Sequence, residues 1–169
     1  MSHMLLLLHG LSDNLDAVLL WALVATAVMT TVLQGSQGLG LSRLSLPFLF
    51  GTFVTADRRR AVLFGSLMYL AGGWAFAVLY FFIFASLGVA TWWVGAILGV
   101  LHGLFLLVSL PALAQLHPRI ASEYDAPASE PKLEPPGFLG LNYGPRTPLT
   151  TLLAQALYGA ILGGFLPMR

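Results

Sequence analysis

The sequence predicts an all-α integral membrane protein, a four-helix bundle with an interfacial amphipathic helix and a proline-rich cytoplasmic loop. Its composition is 57% hydrophobic and only 9% charged, with a mean hydropathy of +0.83, whereas water-soluble domains carry about 25% charged residues. The apolar runs are continuous rather than alternating, which favours helices over a β-barrel. A chain of 169 residues has room for about four helices of ~20 apolar residues each.

The long apolar runs define the four expected spans. The third is the clearest, because Trp92–Pro111 contains no charged residue. Ser12, Asp13, Asn14 and Asp16 supply a cap and first-turn acids for the first span. We expect a single membrane domain over residues 1–169, with spans at about 15–35, 61–87, 91–113 and 148–166.

Three segments are expected outside the spans. Met4–Leu8 is short and apolar, which is typical of an interfacial anchor. Residues 39–56 are too apolar for a free loop and too interrupted by glycine and proline to span. The helical spacing of their apolar residues predicts an interfacial helix over about 45–56, and a re-entrant segment is the alternative. The proline density of about 114–147 excludes a long helix and predicts the cytoplasmic loop.

Basic residues predict the orientation. Seven of the eight Lys and Arg residues lie between spans one and two or between spans three and four. The positive-inside rule therefore places both loops in the cytoplasm and both termini outside. Arg58, Arg59 and Arg60 mark a membrane edge, where they could also recruit anionic lipid headgroups at ~1 kcal/mol each.

Several polar residues fall at a similar depth within the spans. They are Thr26, Thr30, His102, Gln155 and Tyr158, with Tyr69 about one turn nearer the cytoplasm. One interpretation is that they hydrogen-bond between helices, at about 0.6 kcal/mol each. The other is that a midplane histidine, which is costly to bury, belongs to a functional site.

Missing residue types limit the chemistry of such a site. No Asp, Glu, Lys or Arg lies in the apolar part of any span, which disfavours an ion-coupled transporter and a retinal Schiff base. The chain has no cysteine, so thiolate metal sites and iron–sulfur clusters are excluded. His102 and His117 are separated by about 22 Å of helix and cannot ligate one haem iron together. A single axial ligand at His102 could still bind a tetrapyrrole, including a chlorophyll-type pigment.

Two glycine ridges predict close helix packing. One consists of Gly95, Gly99 and Gly103, and the other of Gly159 and Gly163, each with four-residue spacing. Such spacing lets a second backbone approach, either within the fold or in self-association.

Several short motifs lie along most of the chain. They are ATAVMT at 25–30, DRRRA at 57–61, LGVLHG at 98–103, HPR at 117–119, LEPPGF at 133–138, NYG at 142–144 and YGAILG at 158–163. Together they resemble a family of small bacterial multi-spanning membrane proteins that has no assigned activity. The resemblance implies a bacterial cytoplasmic membrane, transfers no catalytic residue, and implies that residues 117–147 belong to the fold.

The leading functional hypothesis is a non-enzymatic accessory or assembly subunit that packs against a larger membrane protein complex or self-associates. Small size, glycine ridges and the lack of a catalytic motif favour it. The alternative is an autonomous small transporter, or a lipid- or pigment-binding protein, that uses the polar cluster around His102. A lipid- or quinone-directed enzyme with His102 as acid or base is a third possibility. The net charge of +1, without a long basic run, gives no reason to expect nucleic acid.

Overall fold

The computed structural model describes residues 3–121 and 132–167, and it confirms the predicted all-helical class. Of the residues that it describes, 78% are helical, and they contain no strand beyond an isolated bridge between Ile120 and Leu133. Four of its helices are long and apolar enough to cross a membrane, namely α2, α4, α5 and α6. The α-helices are α1 His3–Asp13, α2 Leu15–Gly38, α3 Leu46–Gly51, α4 Arg58–Leu87, α5 Trp92–Leu116 and α6 Thr147–Phe165.

The first two helices follow one another almost without a break. α1 extends beyond the expected anchor at Met4–Leu8 and ends at Asp13. The side-chain amide of Asn14 donates to the Gly10 carbonyl at 2.8 Å, and the Asn14 carbonyl accepts from the Val18 N–H at 2.9 Å. Asn14 thus forms hydrogen bonds both with the last turn of α1 and with the first turn of α2.

α4 and α5 are longer than the apolar runs from which they were predicted. α4 begins at Arg58 because the Asp57 carboxylate accepts the Arg60 N–H at 2.9 Å, which caps the first turn. α5 continues past Pro111 to Leu116. α4 therefore carries polar residues before its apolar run, whereas α5 carries Gln115 after it.

α3 is shorter than the interfacial helix expected over about 45–56. It begins after Ser45, whose hydroxyl accepts the Phe48 N–H at 3.4 Å, with Pro47 in the first turn. It ends at Gly51, and the Thr52 hydroxyl donates to the Leu49 carbonyl at 2.7 Å. The residues that follow form tight turns rather than further helix.

The predicted loop over about 114–147 falls partly outside the described residues. Its second half contains a 3₁₀ segment, Phe138–Tyr143, that is kinked where Leu139 and Gly140 adopt positive φ values of 52° and 72°. The Asn142 side-chain amide donates to the Pro135 carbonyl at 3.0 Å, which holds the turn closed.

The chain divides into two compact units, and the long helices contribute residues to both. Among the described residues, unit 1 comprises 3–31, 70–102 and 152–167, and unit 2 comprises 32–69, 103–121 and 132–151.

Each unit has its own buried core. Unit 1 buries small and aromatic side chains, which allow close helix packing. They include Ala22, Ala25, Ala77, Phe84 and Tyr158. Unit 2 buries leucines and several hydroxyl side chains. They include Leu46, Leu49, Leu107, Leu110, Thr52 and Thr147.

Candidate functional site

Aromatic rings surround His102 in unit 1. The imidazole lies 4.0 Å from the Phe76 ring and 6.2 Å and 6.4 Å from the rings of Tyr80 and Tyr158, measured between centroids. Tyr80 and Tyr158 meet edge to face at 5.7 Å. These four residues, from α4, α5 and α6, are called the aromatic cluster below.

The backbone at Gly73 connects this cluster to α2. The Tyr158 hydroxyl donates to the Gly73 carbonyl at 2.6 Å, and the Thr26 side chain lies where a Cβ on Gly73 would be. Any larger residue at position 73 would collide with Thr26. The missing side chain therefore lets α2 and α6 both reach the backbone of α4.

Five buried polar atoms of unit 1 have no hydrogen-bond partner among the described residues. They are Thr26 Oγ1, Tyr80 Oη, Thr91 Oγ1, His102 Nδ1 and Gln155 Oε1. A buried polar group without a partner costs about 1–3 kcal/mol. The side chains of Thr26, Tyr80 and Gln155 are each at least 95% buried, so unit 1 holds hydrogen-bonding capacity that its own side chains do not use.

Two of the predicted polar residues, Thr30 and Tyr69, belong neither to the aromatic cluster nor to the set of unpartnered atoms. The Thr30 hydroxyl donates to the Thr26 carbonyl at 2.7 Å within α2, so its bond is local. Tyr69 belongs to unit 2, where its ring stacks on Phe50 at a centroid distance of 6.5 Å. The residues that the structure adds to the aromatic cluster are Phe76 and Tyr80, which lie in the aromatic half of α4 and carried no distinguishing pattern.

Glycines bring α5 and α6 into backbone contact in unit 1. A Cβ on Gly95 would overlap the Gly159 carbonyl, and a Cβ on Gly99 would overlap the Gln155 carbonyl. A Cβ on Gly163 would lie 3.0 Å from the Gly95 Cα. These four glycines are therefore used within the chain. Gly103, the remaining predicted ridge residue, is buried and belongs to unit 2.

Unit 2 contains a second buried histidine, His117, which follows the last turn of α5. Its Nδ1 accepts the Arg119 backbone N–H at 3.1 Å, so the proton of the neutral ring lies on Nε2. Nε2 donates to the Leu49 carbonyl at 3.0 Å, with the Thr52 hydroxyl 3.2 Å away. The ring also packs edge to face on Phe53 at 4.0 Å. His117 thereby ties the end of α5 to the end of α3.

The environment of His117 favours the neutral imidazole. Burial lowers its pKa, the hydrogen bond to the Leu49 carbonyl raises it, and the Arg119 guanidinium lowers it further. That guanidinium donates to the carbonyls of Thr52 and Phe53. For His117 and Arg119, the sequence indicated only basic residues near a helix C-terminus. Their hydrogen bonds to Leu49 and Thr52 could not be predicted, because these partners lie more than 60 positions away in the chain.

A small cavity in unit 2 lies beside α3. It has a volume of about 150 Å³, with Arg43, Glu134 and Tyr143 at its polar side and Leu44, Phe48 and Leu49 among its apolar lining. The guanidinium of Arg43 pairs with the Glu134 carboxylate at 3.0 Å. The Tyr143 hydroxyl donates to the Glu134 carbonyl at 2.7 Å. Burial, followed by the nearby Glu134 charge, raises the pKa of the Tyr143 hydroxyl.

The chemistry that these sites allow is hydrogen bonding and, at His102, axial ligation of a metal already held by another group. Within residues 3–121 and 132–167, no group of three His, Asp or Glu side chains is arranged to hold a metal ion. The aromatic cluster, with the unpartnered atoms Tyr80 Oη and His102 Nδ1 that it contains, forms the candidate site. Comparison of the chain with protein-family models, with curated proteins and with solved structures finds no match.

Proposed function

We propose that this chain is a non-enzymatic multi-pass protein of the bacterial cytoplasmic membrane that acts as an accessory or assembly subunit. One observation carries the proposal. The most apolar windows of α2, α4 and α5 are only 28%, 28% and 22% buried by the chain itself, against 44% for α6. Most residues in the apolar windows of these three helices are therefore at least partly exposed, and they are available to lipid and to other membrane proteins.

The outer face of α4 is the best candidate for a protein contact. Ala71 and Ala75 are exposed, and a Cβ on Gly72 would meet no atom within 4 Å. Small residues on one helix face let a second helix approach closely, which is how association is driven in lipid. The space beside Gly73, one position away, is already occupied by the Thr26 side chain. Gly73 therefore serves packing within the chain, whereas Gly72 leaves open space on the outer face.

The test is native mass spectrometry of the protein extracted from its own membrane in a mild detergent. We expect an additional polypeptide at fixed stoichiometry. Ala75→Leu should remove it, because the larger side chain blocks the small face of α4. Ala27→Leu is the matched control, since Ala27 is also exposed but lies on α2. A lone chain, or an oligomer of this chain only, would contradict the proposed role.

The orientation we propose has both termini in the periplasm and the basic connections in the cytoplasm. Its support is the distribution of Lys and Arg. The chain has no native cysteine, so single-cysteine labelling is free of background. A membrane-impermeant maleimide applied to spheroplasts should label Ser12→Cys and not Ala56→Cys. The reverse pattern would invert the topology.

A second candidate function is favoured by the unpartnered buried atoms of unit 1, which include His102 Nδ1 and Tyr80 Oη. In this version the chain is an autonomous small transporter, or a lipid- or pigment-binding protein, whose ligand hydrogen-bonds near His102. A tetrapyrrole with His102 as axial ligand would give a visible absorption spectrum that His102→Ala abolishes. A colourless protein, extracted from its own membrane with normal yield, would exclude the pigment.

A further inference from the structure

We propose that Arg58, Arg59 and Arg60 form a binding site for the headgroup of an anionic phospholipid, called the arginine edge below. The proposal rests on insertion of the chain into a membrane and not on a partner subunit. Its evidence is the charge at the start of α4 together with the apolar surface that directly follows it.

The arginine edge carries positive charge that the described residues do not neutralise. All three side chains are exposed, and in residues 3–121 and 132–167 none of them forms an ion pair. The nearest acid in sequence is Asp57, whose Oδ1 accepts the Arg60 backbone N–H at 2.9 Å and so caps the helix. Residues 57–60 therefore combine one carboxylate with three guanidinium groups, which leaves the patch cationic.

The location of these arginines is unfavourable for the isolated helix. A helix N-terminus carries a partial positive charge, so cations there destabilise it and anions stabilise it. Arg58–Arg60 form the first turn of α4. An external anion would satisfy both the side-chain charges and the helix end, and the three guanidinium groups, rather than the helix end alone, define the site.

An apolar surface adjoins the arginine edge. Val62, Leu63 and Phe64 are 46%, 60% and 42% exposed and come immediately after the arginines in α4. A phospholipid has the same arrangement, with an anionic phosphodiester next to acyl chains. A free phosphate ion would use the charges but not this apolar band.

α3 is held alongside the start of α4, which fixes the surroundings of the site. A Cβ on Gly51 would overlap the Ala61 carbonyl, and a Cβ on Gly65 would overlap the Pro47 carbonyl. The two backbones are therefore in contact through the first two turns of α4. Unlike Arg58–Arg60, Arg119 has its guanidinium engaged, because it donates to the carbonyls of Thr52 and Phe53.

The experiment measures which lipids the purified chain retains. The protein is reconstituted in nanodiscs of equimolar phosphatidylglycerol and phosphatidylcholine, released, and its bound lipids are counted by native mass spectrometry. We expect phosphatidylglycerol to be preferred. Each arginine replaced by glutamine should reduce the preference about fivefold, the equivalent of ~1 kcal/mol per basic residue near an anionic surface.

Two further variants test whether the preference depends on the charge at this position, and one control tests whether any exposed arginine would serve. R58K/R59K/R60K keeps the charges and should keep most of the preference, whereas R58Q/R59Q/R60Q should abolish it. Arg146→Gln is the matched control, because Arg146 is also an exposed arginine of unit 2 and should leave the preference unchanged. Circular dichroism checks folding, and the single variants decide the matter if the triple glutamine variant does not fold.

Three results would overturn the proposal. They are equal retention of both lipids by the wild-type chain, an unchanged preference in R58Q/R59Q/R60Q, and an equal loss in Arg146→Gln. Displacement of phosphatidylglycerol by inorganic phosphate alone would instead show a free-anion site. None of these results depends on a partner subunit, so the accessory role and the lipid site can fail independently.

Discussion

Two buried tyrosines of the aromatic cluster allow a direct test of its hydrogen bonding. Tyr158 and Tyr80 are 1% and 2% exposed, and their rings contact each other. The Tyr158 hydroxyl donates to the Gly73 carbonyl at 2.6 Å, whereas the Tyr80 hydroxyl has no partner among the described residues. Replacement of each by phenylalanine removes one oxygen atom and leaves the ring packing in place.

Only one of the two substitutions should destabilise the fold. Tyr158→Phe loses an interhelical hydrogen bond, which in membrane proteins contributes about 0.6 kcal/mol on average and about 1.7 kcal/mol at most. Tyr80→Phe removes a buried hydroxyl that is unsatisfied, and such groups cost about 1–3 kcal/mol. We therefore expect Tyr158→Phe to lower the free energy of unfolding by ~1 kcal/mol and Tyr80→Phe to leave it unchanged or raise it.

The assay is reversible unfolding by SDS in mixed micelles, followed by circular dichroism. An equal or larger loss for Tyr80→Phe would refute the reasoning, because the Tyr80 hydroxyl would then have a partner that stabilises the fold. If that loss appeared only in protein from its native membrane, and not after delipidation, the partner would be a bound molecule. The second candidate function would then become the leading one.

Three other predictions concern packing and titration. Gly159→Ala should destabilise the fold by about 1–3 kcal/mol in the same SDS assay, because its Cβ would overlap a backbone carbonyl. Gly164→Ala should be tolerated, since its Cβ would make only ordinary contacts at 3.6 Å or more. Equal losses in the two variants would argue against the α5–α6 contact. The pKa of His117 is lowered in the fold from its ordinary 6.5, chiefly by burial, so below pH 6.5 the unfolded chain binds more protons. The free energy of unfolding should therefore fall as the pH is lowered from 7 to 5, by at most ~1.4 kcal/mol per pH unit, and the difference in slope from His117→Gln measures this contribution; identical slopes would contradict it. Ser42→Ala should lower the stability measured by thermal unfolding by about 1–3 kcal/mol. It removes the hydroxyl that bonds the buried Thr147 hydroxyl at 2.8 Å and accepts the Leu44 N–H at 3.1 Å. A loss near zero would mean that another group replaces the serine.

The candidate site could be predicted only in part. The depth of each span indicated that Thr26, His102, Gln155 and Tyr158 lie at a similar level, and all four belong to unit 1. Depth gives no rotation about the helix axis, so it could not show that Tyr158 bonds Gly73 while Tyr80 has no partner. The sequence is a poor guide to the rotation of each helix about its axis, because the spans are apolar on nearly every side. They lack the periodic pattern that identifies the inner face of a helix in a soluble protein.

The sequence alone determined the class of the protein and the number of its long helices. These depend on local properties: helix hydrogen bonds join residues four apart, and continuous apolar composition requires a membrane. The tertiary structure decided what each small or polar residue contacts. The Thr26 side chain packs against Gly73, and the backbones of α5 and α6 are in contact at Gly95 and Gly159. His117 forms a hydrogen bond with the Leu49 carbonyl of α3. Such contacts join residues far apart in the chain and depend on side-chain shape, which hydropathy does not record.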